Sequence, residues 1–91
     1  MQLMLFYYPN SEISYKLIYN MSEIRYKLTE DYIELYQVLK LCNLVGSGGE
    51  AKVLITSGEI KVNQIIETRK KKKLYSGDIV QFKETVIHIN K

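Results

Sequence analysis

Histidine and cysteine are nearly absent from this chain: one of each, His88 and Cys42, in 91 residues. One histidine and one cysteine cannot close a zinc site. A histidine so near the C-terminus leaves no credible Ser-His-Asp arrangement either. His88 reads as a surface strand residue, and Cys42 as a small core residue with no activating base in evidence. A lone cysteine forms no disulfide within the chain, which fits a reducing cytosol. No segment approaches the roughly 20 apolar residues needed to span a bilayer. The apolar start Leu3–Tyr8 is too short for a signal peptide and no base precedes it. The expected location is cytoplasmic.

At 91 residues the chain is expected to form one domain with a modest core, too small for a large enclosed active site. Its 46% hydrophobic and 25% charged residues are those of a globular protein rather than a disordered tail. The net charge is only +3, but it is unevenly spread. From Leu35 to Lys83 nine bases face four acids, whereas four bases face six acids elsewhere. A positive excess gathered in the C-terminal two-thirds suits a polyanionic partner.

Residues 1–20 hold four of the eight tyrosines, the only proline (Pro9) and few charges, and sustain no period. Residues 1–24 are expected to be an N-terminal extension, and 25–91 a single domain. Met21 opens the more ordinary sequence and is a candidate natural start; an extra strand or loop over residues 1–20 is the alternative.

Arg25–Leu28 alternates with Tyr26 and Leu28 on one side, as a short strand does. Over 33–44 the period lengthens. Leu35, Leu39 and Cys42, widened by Val38 and Leu41, predict an amphipathic helix of about three turns ended by 43–46. Ser47-Gly48-Gly49-Glu50 has the form of a capping box, opening a second helix over about 48–57 with Ala51, Leu54 and Ile55 inward. Gly58 stands where a left-handed C-terminal residue is wanted. Ile60–Val62 reads as a strand with Lys61 outward. Asn63-Gln64 reads as a hairpin turn in which Gln64 costs about 1 kcal/mol relative to glycine. Ile65 and Ile66 begin the return. After the basic run Arg69–Lys73 and Leu74, Ser76-Gly77-Asp78 signals a turn. A last hairpin spans 79–89 around Lys83-Glu84.

Two features point to a function. The first N–H groups of a helix lack internal partners and carry partial positive charge. Gly48 and Gly49, without Cβ atoms, let a phosphate approach them, and Lys52 one turn on adds a cation. The spacing is not that of a P-loop. A tight inter-helix turn accounts for the same glycines. Arg69, Lys70, Lys71, Lys72 and Lys73 form the second feature. Five consecutive cations repel one another; tethered at both ends beside the helix start, they make one positive surface that Lys61 extends. A solvated loop is the plainer alternative. Tyr75, beside the run, and Tyr36 are suited to stacking on an unpaired base or to ordinary edge packing.

Taken in order, these motifs resemble a known family. The stretch YIELYQVLKLCNLVGSGGEAKVLITSGEIKVNQIIETRKKKKLYSGDIVQF (Tyr32–Phe82) is similar to the ribosomal-protein-S-four-like RNA-binding domain, or alpha-L motif, above all to its small stand-alone bacterial members of the YaaA/YbcJ type. LYQVLK resembles the family's first helix, SGGEAK its second helix start, SGEIKVN its glycine-strand-asparagine segment and ETRKKKKLYSGD its basic loop and Gly-Asp turn. The resemblance implies an α+β fold, two packed helices against a small, mostly antiparallel twisted sheet. It also implies binding to structured RNA, commonly ribosomal RNA, through Ser47, Gly48, Gly49, Lys52, Lys61, Arg69 and Lys70–Lys73. Gly48 stands where many members carry arginine, and Gln64 where the usual turn has glycine. Catalytic domains fused to the motif in larger relatives find no room in this length.

The expectation is therefore a non-enzymatic RNA-binding protein of ribosome assembly, translation or RNA handling, monomeric, with no cofactor or metal. A protein-interaction adaptor with a basic docking surface and a DNA- or replication-associated binder are the alternatives. A sulfur-carrier reading fails because the chain ends His88-Ile89-Asn90-Lys91 rather than Gly-Gly. The mass of the native protein tests the start: a chain beginning at Met1 rules out Met21.

Overall fold

The alternation that marks Arg25–Leu28 begins earlier in the folded chain. Strand β1 spans Ser22–Lys27, with Ile24 and Tyr26 turned inward and their neighbours exposed. The coordinates are those of a computed structural model, which describes residues 22–91. The expectations for residues 1–21, including the start at Met21, lie outside those residues, and the boundary expected at residues 24 and 25 falls inside β1.

The first helix is shorter than its sequence period implies. Ile33–Glu34 is strand β2, and helix α1 is confined to Leu35–Leu41. Two causes shorten it. Ile33 and Glu34 pair antiparallel with Leu74 and Lys73 of strand β5 (Lys73–Leu74), so their backbone is extended. At the other end Asn43 takes a left-handed φ of 60°, which stops the helix. Leu35, Val38 and Leu39 are buried as the stripe requires, and Cys42 packs against the core half-buried. Leu41 does not join them: it is 58% exposed. At 3.6 residues per turn it lies about a third of a turn from their mean direction.

Helix α2 spans Gly48–Thr56, with Ala51 and Ile55 buried, and Gly58 closes it at φ 84°. The capping box is half formed. Ser47 Oγ accepts from Glu50 N at 3.2 Å, but the Glu50 carboxylate accepts from Gly46 N rather than from Ser47 N. A reciprocal bond of that kind occurs instead at α1, where Gln37 Oε1 accepts from Glu34 N at 3.2 Å.

The remaining strands are β3 (Lys61–Val62), β4 (Ile65–Ile66), β6 (Ile79–Phe82) and β7 (Thr85–Asn90). The larger sheet has the order β1-β7-β6-β3-β4. All of its pairs are antiparallel except β1 with β7, which is parallel over six residues. β2 and β5 form a separate two-stranded ladder. The two helices pack on each other, and one apolar cluster joins them to the sheet through Ile60, Val62, Val80, Ile87 and Ile89 and to the ladder through Leu74. The fold is thus two helices against a mostly antiparallel sheet, as the resemblance implies.

Asn63 and Asp78 fasten two turns together. Asn63 Nδ2 donates to Asp78 Oδ1 at 3.1 Å, and Asn63 Oδ1 accepts from Ile79 N at 3.0 Å. Asp78 Oδ2 also accepts from Tyr75 N at 2.8 Å. Asn63 and Gln64 both take positive φ, 52° and 73°, so the β3–β4 hairpin keeps its turn shape without a glycine. Urea-denaturation midpoints test both features. Asp78→Ala removes two side-chain bonds and lowers stability by about 1–2 kcal/mol. Gln64→Gly relieves the left-handed backbone and raises it by up to about 1 kcal/mol.

Candidate nucleic-acid interface

Helix α1 begins without neighbouring turns to take up its first N–H groups, and the basic run supplies the missing acceptors. Leu35 N donates to Lys72 O at 2.9 Å, and Tyr36 N donates to Lys70 O at 3.1 Å. Lys72 N in turn donates to Arg69 O at 3.2 Å, a tight turn within the run. Lys73 belongs to β5. The run is therefore held along its backbone, while Lys70, Lys71 and Lys73 stay exposed. The repulsion among these cations is tolerated because the carbonyls, not the side chains, make the attachment.

The same Tyr36 reaches the glycine-rich turn. Lys52 Nζ lies 4.9 Å from the Tyr36 ring centroid, a cation–π contact. A Cβ on Gly48 would meet the same ring at 3.7 Å. Tyr36 thus carries the basic run on its backbone and the α2 start against its ring. The segment 47–52 and the segment 69–73 meet there. No described residue accepts from Gly48 N–H or Gly49 N–H, so these donors remain available at the positive end of α2. Lys61 is exposed on β3, between Ile66 and Gln81 in the neighbouring strands.

Arg69 is not a free cation. Its Nε and Nη2 donate to the Glu67 carboxylate at 2.9 and 3.1 Å, and its backbone N does so at 3.0 Å. These bonds hold the Glu67 carboxyl well below the usual range, at about 2. The Arg69 guanidinium is raised in turn, by the side-chain bond first. Glu67 therefore stays ionised at physiological pH and offsets one positive charge of the run. Beyond it, Arg69, Lys71, Lys72, Lys73 and Tyr75 line an open concavity of about 480 Å³. Lys73 Nζ lies 4.8 Å from the Tyr32 ring centroid.

His88 lies half-buried on β7, its Nε2 3.8 Å from Glu23 Oε1. Burial pushes the Cys42 thiol upward, away from the reactive thiolate. Among the described residues no cluster of three metal-ligating side chains occurs, and no helix is long and apolar enough to cross a membrane. Sequence reasoning missed the part played by Tyr36, whose spacing shows only a half-buried helix residue. It also missed Tyr32 as a neighbour of Lys73, which depends on pairing across the β2–β5 ladder.

This chain is similar to known proteins. YbcJ of Escherichia coli (strain K12), provisionally named an RNA-binding protein, is 41% identical over 51 residues, which cover 56% of this chain and 73% of YbcJ. RlbA of Bacillus subtilis (strain 168), provisionally named a ribosome maturation protein, is 41% identical over 51 residues, 56% of this chain and 72% of its own. The solution structure of E. coli YbcJ, described as revealing an alpha-L motif involved in RNA binding, superposes with a TM-score of 0.59 at 27% identity, over 99% of this chain and 100% of YbcJ. The S4 domain model matches residues 26–90, from the middle of β1 to the end of β7. With both segments that meet at Tyr36 inside that match, the chain belongs to the S4 domain family.

Proposed function

We propose that this chain is a non-enzymatic RNA-binding module that grips structured RNA, ribosomal RNA above all, in ribosome maturation or a related step of RNA handling. The observation that carries the reading is the junction at Tyr36. It sets two available helix N–H groups and Lys52 beside a lysine run held by its backbone. Backbone donors and flexible cations at one place suit phosphate oxygens, and such contacts position a protein on a fold rather than read a sequence. The descriptions of YbcJ and RlbA support the same direction. In this reading the domain over residues 25–91 acts as a monomer in the cytoplasm. Ser47, Gly48, Gly49, Lys52 and Lys70–Lys73 make the principal contacts, Lys61 contributes from the sheet, and Arg69 contributes a charge partly offset by Glu67.

Titration against a folded ribosomal RNA fragment at two salt concentrations tests this reading, and absence of binding at the lower salt refutes it. The sharper measurement replaces Lys70, Lys71, Lys72 and Lys73 by glutamine. The main-chain carbonyls at positions 70 and 72 still cap α1, so circular dichroism stays unchanged. Binding weakens, and the slope of log affinity against log salt becomes shallower by about one for each phosphate that the variant no longer neutralises. An unchanged slope removes the run from the interface.

A further inference from the structure

The ladder of β2 and β5 buries Ile33 and Leu74, which oppose each other. Strand alternation turns Tyr32, Glu34, Lys73 and Tyr75 to the opposite side. One step beyond the Ile33–Leu74 pair, Tyr32 and Tyr75 set their ring centroids 5.9 Å apart at an interplanar angle of 50°. Both remain largely open to solvent, at 40% and 49% exposure. Lys73 Nζ stands over the Tyr32 ring, while Tyr75 continues into the concavity lined by Arg69, Lys71, Lys72 and Lys73.

A phosphate-binding surface alone needs no aromatic rings, and rings alone need no lysines. Side by side they match the two halves of one nucleotide: a base has a π face for stacking, and its phosphates take lysine ammoniums. A base within a duplex has its faces covered by its neighbours, so only an unpaired one can use the rings. We propose that Tyr75, with Tyr32 beside it, is a stacking site for one unpaired nucleobase of the bound RNA, its flanking phosphates held by Lys71, Lys72 and Lys73. The proposal rests on the RNA-binding reading and deepens it: the preferred target carries a bulged or loop nucleotide next to a helical stem. The rings supply that preference, and the lysines supply affinity common to any stem.

Binding of the full chain to a blunt RNA duplex and to the same duplex carrying a single bulged 2-aminopurine tests it. The bulged RNA binds roughly tenfold more tightly, and the 2-aminopurine emission falls as the base stacks. Tyr75→Leu keeps apolar cover over the ladder but has no π face. It loses both the preference and the quenching while leaving duplex affinity and its salt slope in place, and Tyr75→Phe keeps all four. Equal affinity of the wild-type chain for the two RNAs, or a Tyr75→Leu variant that still prefers the bulge, overturns the stacking site and leaves general RNA binding standing. Failure of the wild type to bind either RNA overturns both readings. Should Tyr75→Leu unfold, Tyr32→Leu and the wild-type quenching decide: a bulged base whose emission is unchanged on binding refutes the site.

Discussion

The two hydrogen bonds from the first N–H groups of α1 to the carbonyls of Lys72 and Lys70 hold the architecture of the interface in place. They solve two problems at once. A short helix gains acceptors for donors that would otherwise face water, and a segment of mutually repelling cations acquires a fixed course through the main chain of Lys70 and Lys72. The second helix then docks its glycine-rich start against the ring of the same Tyr36. Charge and helix end are brought together at Tyr36, by its main-chain N–H and its ring, and neither contact uses the ammoniums of Lys70, Lys71 and Lys72.

This division of labour recurs around the hairpin. Asn63 and Asp78 are polar residues at exposed turns, yet their side chains bind main-chain groups and each other, not solvent alone. They set where β3 lies against β6, and hence where Lys61 projects. Glu67 does similar work for Arg69. An acid inside a basic segment looks like a loss of affinity, but it fixes the guanidinium and the backbone at the entry to the run.

Much of the fold was legible where chemistry is local. Positive φ at Gly58, the turn at Gly77, the Asn63-Gln64 turn, the inward face of α2 (Ala51 and Ile55 buried, Leu54 partly so), that of β3 and the last hairpin around Lys83 all follow from residues adjacent in sequence. The misreadings arise where placement in three dimensions decides. The helical span was expected to begin at Ile33, but Leu74, far along the chain, claims Ile33 as a strand. Leu41 looks apolar enough for the core, but the helix carries it round to the open side. The capping pattern directs Glu50 to Ser47 N, yet the carboxylate accepts from Gly46 N, one residue earlier, a choice set by the course of the turn and not by the pattern. The candidate site was legible as two segments making one positive surface. Their meeting at Tyr36 was not, because a ring contact and a main-chain bond at one residue leave no pattern in sequence.

The link between Asn63 and Asp78 also bears on how the protein ages. Deamidation begins when the backbone nitrogen of the following residue attacks the asparagine carboxamide, and a glycine there offers it the least obstruction. Gln64, although costly in its left-handed conformation, sets a residue bulkier than glycine after Asn63, while the carboxamide itself is engaged by Asp78 and Ile79. Conversion of Asn63 to aspartate would remove the donor and set two carboxylates against each other at the turn that aims β3. The left-handed Gln64 thus gives up a little folding free energy where a glycine would leave Asn63 more open to deamidation.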